Sequence, residues 1–264
     1  MSHEERALYQ AYRKKEQKQM IIVLITQIIL LGILIAGWEW ASATKRIDPL
    51  LFSRPTTVLE TVQKLWHESA LARHIAVTVA ETVAGFLLGT ASGILIATAL
   101  WFSPFLARVM DPYLVVLNSM PKVALGPLFI VAFGSGMTSI LMMALAVSVI
   151  VTALVVHGSF KETDPNYIKL ARTFGASRRQ IFTTIVFPAA RPSMLSALKV
   201  NVGLSWIGVI VGEFLAAKEG LGYVIIYGFQ IFNFNLVMTS IVLIAVLSAA
   251  MYQVVAVLTR RFER

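Results

Sequence analysis

Apolar residues run together in six long stretches of this chain, at roughly 20–41, 76–101, 112–133, 137–158, 193–217 and 236–258. Each approaches or exceeds the ~20 residues that a helix needs to cross a bilayer core. The pattern predicts an all-α integral membrane protein with about six transmembrane helices. Pro121, Lys122 and Pro127 interrupt the third stretch. Broken backbone at membrane depth is tolerated only where protein or a water-filled cavity covers it. These three residues are therefore candidates for a pathway or gate, with ordinary kinked packing as the alternative. Lys14, Lys15 and Lys18 before the first stretch and Ala41-Ser42-Ala43 after it resemble a cleaved signal. The apolar run from Met20 to Trp38 is too long for that, and Trp38 and Trp40 suit interfacial anchors, so a retained helix is expected.

The polar segment between the fourth and fifth stretches has its own punctuation. Asp164 can cap a helix whose first residue is Pro165. Tyr167, Leu170, Ala171 and Phe174 then recur at i, i+3, i+4 and i+7, which makes one face apolar. Gly175 stands where a left-handed residue would stop the helix. Ser177 and Gln180 form a capping box for a second helix, expected to end before Pro188. Two short helices with an apolar knob between membrane spans suggest a docking surface for a soluble partner.

The distribution of charge orients the spans. With an inner N-terminus, the inner segments hold 15 Lys and Arg: Arg6, Arg13, Lys14, Lys15, Lys18, Arg108, Lys161, Lys169, Arg172, Arg178, Arg179, Arg191, Arg260, Arg261 and Arg264. The outer loops hold 6, namely Lys45, Arg46, Arg54, Lys64, Arg73 and Lys218. The excess places both termini and the elbow in the cytoplasm. The resulting organisation is a cytoplasmic tail (1–19), a first transmembrane helix (20–41), an external loop (42–75), a membrane core (76–258) with a cytoplasmic loop at 159–192, and a C-terminal tail (259–264). In the external loop, Thr57 and Glu60 read as a capping box, and Leu59, Val62, Leu65 and Trp66 share a face, which predicts an interfacial helix.

Composition narrows the chemistry. Only 14% of residues are charged and 57% are hydrophobic, against about 25% charged in a soluble domain. The net charge of +9 flanks apolar spans and makes no single patch, so no nucleic-acid partner is expected. Without cysteine there is no thiolate nucleophile or disulfide. His3, His67, His74 and His157 lack metal-ligand spacing, and no glycine precedes a lysine as a phosphate-binding loop requires. No catalytic residue, metal ligand or cofactor site is therefore assigned, and any ATP must be bound by another subunit. Glu39, Glu81, Lys122, Lys199 and Glu213 lie in or near the spans. Lys122 and Glu213 are the ones expected to do more than anchor a helix end, and Glu213 joins the pathway candidates. An ion-coupled carrier would show more carboxylates at mid-membrane. Gly85, Gly89 and Gly93, and again Gly208 and Gly212, stand four apart, allowing close helix contact within the chain or across a dimer seam; the former is expected.

Lys169-Leu170-Ala171, Gly175 and Ile185-Val186-Phe187-Pro188 together resemble the "EAA" cytoplasmic loop of ABC importer permeases. Gly126-Pro127-Leu128, Phe133-Gly134-Ser135-Gly136, Pro188-Ala189-Ala190-Arg191-Pro192, Gly212-Glu213-Phe214 and Gly220-Leu221-Gly222 resemble the sulfonate/taurine/nitrate subgroup, so that the likeness extends over about residues 50–260. Lys169 stands where the pattern has Glu, Leu170 where it has Ala, and Glu81 near where many members carry Arg. The resemblance implies a type I (MetI-like) permease fold in a bacterial inner membrane. It implies a second permease chain, expected to be a copy of this one, two cytosolic ATPases that hold ATP and Mg, and an external substrate-binding protein. The solute would be a small anion such as a sulfonate, taurine or nitrate, with a thiamine-precursor pyrimidine as the alternative. The elbow becomes a coupling helix, and Tyr167, Leu170, Ala171, Arg172, Phe174, Gly175, Ala176 and Pro188 become its ATPase-coupling residues.

Overall fold

Glycine and small residues decide how the helices pack. In a computed structural model that describes residues 3–67 and 70–262, helix α7 (Met137–Lys161) lies between α4 (Ala70–Phe102) and α11 (Arg191–Ala216). Gly85, Gly89 and Gly93 of α4 face Ala144, Ser148 and Thr152 of α7, one pair per helical turn. On the other flank, a Cβ on Gly208 would come within 2.5 Å of the Ala144 backbone, and one on Gly212 within 2.9 Å of the Ile140 backbone. Both stripes are thus used inside the chain. In lipid, where no hydrophobic drive joins helices, such close backbone contact supplies the attraction. Asn201 ties the three helices together: its amide donates to Thr90 Oγ1 at 3.0 Å and to Thr152 Oγ1 at 2.6 Å.

The remaining elements surround this trio. They are α1 (His3–Ala43), α2 (Pro49–Phe52), α3 (Pro55–His67), α5 (Pro104–Ser119), α6 (Gly126–Phe133), the elbow helices α8 (Pro165–Thr173), α9 (Arg178–Ile181) and α10 (Phe187–Ala189), then α12 (Leu221–Gln230) and α13 (Phe234–Phe262). Among the described residues, five helices are long and apolar enough to cross a membrane, and the bent α5–α6 pair makes a sixth passage if taken as one. The chain alternates sides accordingly, so the α4–α5 turn and the elbow share one end and the α12 region lies at the other. Helix α13 packs on α11 and α12. Helix α1 joins the rest through its C-terminal end: Trp38 Nε1 donates to the Phe52 carbonyl and Ser42 Oγ to that of Ser53. Arg264, counted above with the inner charges, lies outside the described residues.

Four details depart from the sequence expectations. The third stretch does not run as one helix over 112–133. It starts at Pro104, capped by Ser103, and bends by 94° between Ser119 and Lys122. Pro121 takes extended backbone there, and a 3₁₀ turn (Lys122–Leu125) leads into α6. The second elbow helix does not end before Pro188. A π-helical turn (Phe182–Val186) widens the backbone just ahead of it, so Phe187 N–H bonds the Phe182 carbonyl and Pro188 enters without breaking the path into α11. The helix expected in the loop at 42–75 begins at Pro55, not at Thr57, and Glu39 of α1 accepts the Thr56 N–H at 3.1 Å and its hydroxyl at 3.0 Å. Its inward face centres on buried Val58, while Leu59 and Trp66 are exposed. Finally, α12 forms between the last two spans, where no helix was expected.

Candidate functional site

Two sites stand out, at opposite ends of α4. The first is the elbow. Asp164 accepts the Asn166 N–H at 2.8 Å and opens α8. Gly175 ends it with φ of 78°. Its N–H bonds the Arg172 carbonyl at 2.9 Å, and the Ala176 N–H reaches back to Ala171 at 3.0 Å. This paired closure requires a left-handed residue, which glycine adopts without a Cβ clash. Ser177 and Gln180 then cap α9 reciprocally.

The elbow's apolar face splits between two environments. Ala171, Ala176 and Ile168 turn inward against a cluster of Ala97, Val156, Phe160, Ile181, Phe182 and Val186. Tyr167, Leu170 and Phe174 turn outward, exposed by 61%, 56% and 80%. Arg172 is also exposed and Pro188 is half-buried. One residue that sequence reasoning did not single out fixes the elbow to the membrane core. Arg178 donates to the Trp101 carbonyl at 2.9 Å and lies 5.3 Å from the centre of its ring. A basic residue at the start of α9 and an aromatic one at the end of α4 were visible in the sequence, but their meeting across 77 positions was not.

The second site brackets the start of α12. Glu213 Oε2 accepts the Gly222 N–H at 2.6 Å, Thr78 Oγ1 accepts that of Leu221 at 2.7 Å, and His74 Nδ1 accepts that of Gly220 at 3.0 Å. Three side chains thus receive the amide donors that a helix N-terminus leaves unpaired. Gly220 packs directly on the Glu213 carboxylate, so any side chain there would displace it. Glu213 is 1% exposed, and Glu81 lies beside it. Glu81, expected to anchor a helix end, is buried too. His74, Thr78 and Glu81 recur at i, i+4 and i+7, a polar stripe that was legible along α4. At the rim, Arg73 and Glu219 form an ion pair.

The other pathway candidates lie apart from Glu213. Pro121 is exposed at the α5–α6 bend, and half-buried Lys122 donates to the Asn118 carbonyl at 2.8 Å. Pro127 is the second residue of α6, and Gly126 before it packs on Leu215 of α11. His74 and Trp101 are separated by about 40 Å of helical rise. A helical bundle with an outward-facing apolar elbow at one end and a bracketed helix start at the other is built to connect two sides of a membrane. Among the described residues, no three His, Cys, Asp or Glu side chains gather to hold a metal ion.

These features define a membrane-embedded transport subunit. The chain belongs to the family described as "Binding-protein-dependent transport system inner membrane component", which it matches over residues 89–264. It is 28% identical over 243 residues to a probable ABC transporter permease protein of Haemophilus influenzae, covering 92% of this chain and 98% of that one. It is 27% identical to the taurine transport system permease protein TauC of Escherichia coli, over 83% of this chain and 81% of the relative. It is 33% identical to the formylaminopyrimidine transport permease protein ThiX of Halalkalibacterium halodurans, over 70% and 74%. Its fold is that of the inward-facing MetNI methionine ABC transporter, with a TM-score of 0.64 at 22% identity over 74% of this chain and 97% of that one. It is also that of a bacterial alginate ABC transporter in complex with an alginate-pentasaccharide-bound periplasmic protein, with a TM-score of 0.65 at 14% identity over 94% and 96%. The chain is an ABC importer permease with an all-α, MetI-like fold.

Proposed function

We propose that two copies of this chain form the translocation path for a small anion such as a sulfonate, taurine or nitrate. Two cytosolic ATPases bind and hydrolyse ATP with Mg, and an external binding protein delivers the solute. Both termini and the elbow are cytoplasmic. The observation that carries this reading is the elbow, a rigidly capped helix pair whose Tyr167, Leu170 and Phe174 point away from their own subunit. A single short helix cannot bury that face, and a groove on the ATPase covers it. Ala171, Ala176 and Pro188 transmit the push inward, Arg172 flanks the contact, and Gly175 sets the angle. Pro121, Lys122 and Pro127 bend the path, and Glu213 holds the external end by fixing the start of α12.

The taurine transport relative supports a sulfonate-bearing solute, and the binding protein in the alginate complex supports the external partner. The formylaminopyrimidine relative, at 33% identity, favours a second reading with a pyrimidine solute. Co-purification of the tagged chain from its native membrane, followed by uptake in proteoliposomes with taurine and with formylaminopyrimidine, tests both. An ATP-binding subunit in equal amount and ATP-dependent uptake of taurine are expected. Uptake of the pyrimidine alone would select the second reading, and recovery of the chain without an ATPase would overturn both.

A further inference from the structure

At the elbow end, α4, α5 and α7 line a half-open cavity of about 400 Å³. Leu100 and Trp101 form its apolar wall, and Arg108, Asp111, His157 and Lys161 supply the polar one. Neither cation is engaged by a carboxylate among the described residues; Arg108 reaches only the Pro104 carbonyl, at 3.4 Å. His157 is 7% exposed, and neither of its ring nitrogens makes a hydrogen bond of normal geometry within the chain. Its polar neighbours are the Ala97 carbonyl, Asp111 and Lys161. A buried, under-used imidazole beside Lys161, in a pocket that Arg108 also lines, leaves a net positive site that one carboxylate does not neutralise.

We infer that this cavity takes a phosphate group, held by Arg108 and Lys161 over His157. Arg offers a fork of N–H donors that matches phosphate oxygens, and Lys a mobile point charge. The volume is far larger than a bare phosphate, and the apolar wall suits a group that carries hydrocarbon. A phosphodiester headgroup of an anionic lipid satisfies both halves of the pocket, and a free phosphate satisfies only the polar half. The site matters because Trp101 also forms part of a neighbouring cavity with Arg172 and Arg178 of the elbow. A bound phosphate would brace the α4–α5 turn to which Arg178 is attached. The inference rests on the orientation given above, which puts this end at the inner leaflet.

The test is native mass spectrometry of the chain purified in mild detergent, titrated with a phosphatidylglycerol, with a phosphatidylcholine, and with inorganic phosphate. It needs neither ATPase nor transport, so its result is separable from that of the proposed function. Wild type should hold one anionic lipid per chain. The double variant Arg108→Gln, Lys161→Gln should bind it about twenty-five-fold more weakly, at about a fivefold loss per cation. Lys218→Gln, at the opposite end, should bind as wild type. Competition by inorganic phosphate at equal concentration would identify the free ion as the ligand, and its failure to compete would identify the headgroup. Equal binding of both lipids, or equal loss in Lys218→Gln, would overturn the inference.

Discussion

Glu213 and Gly222, nine positions apart, meet across the α11–α12 turn, the buried carboxylate accepting the glycine N–H at 2.6 Å. Glu213, a candidate for the pathway or gate, is buried within its own subunit, where it helps to close a helix start. Its neighbour Glu81 reaches the same place from α4, so α4, α11 and α12 share one polar joint.

Glu213→Ala should destabilise the protein by about 1–3 kcal/mol, because the Gly222 donor is left buried and unpaired. Glu213→Gln keeps a carbonyl oxygen for that donor and should recover most of the loss. Thermal unfolding in detergent compares the two. An alanine variant as stable as wild type would mean that water or a rearranged loop serves Gly222 equally well.

Gly208→Leu should be poorly tolerated, at a cost of at least about 1–3 kcal/mol. The obstacle is the Ala144 backbone, which cannot swing aside as a side chain can. Gly203→Leu is the control, because nothing lies within 4 Å of a Cβ at that position. Equal expression and melting of the two variants would count against close α7–α11 packing.

Gly175→Pro should abolish ATP-driven uptake while the chain still inserts. Proline fixes φ near −65°, opposite in sign to the 78° found here, and removes the N–H that bonds Arg172. Gly175→Asn should retain much of the activity, since asparagine tolerates the left-handed region. Proteoliposome uptake reads both, and full activity of the proline variant would contradict the proposed coupling role of the elbow.

Leu170→Asp should leave stability within about 0.5 kcal/mol, because the side chain is 56% exposed. Association with the ATPase should weaken at least tenfold, since a carboxylate would be buried in an apolar contact. Size-exclusion recovery of the complex measures this. Unchanged assembly would place the docking face elsewhere on the elbow.

Much of this architecture was legible along the chain, because its causes are local. Apolar runs of membrane-spanning length imply helices wherever they occur, and Asp164, Gly175, Ser177 and Gln180 act on backbone groups within a few residues of themselves. The spacing of Gly85, Gly89 and Gly93 likewise announced a close contact. Only the tertiary structure decided what each of these met. Glycine's spacing does not say which helix will oppose it, and here it is α7. Pro188 signals a helix end by its missing donor, yet the π turn ahead of it is stabilised by packing of Phe182 and Val186 in the core. The Arg178–Trp101 clamp and the three-sided cap on α12 join residues 77 and up to 146 positions apart. Their formation depends on how whole helices cross, which no local preference encodes.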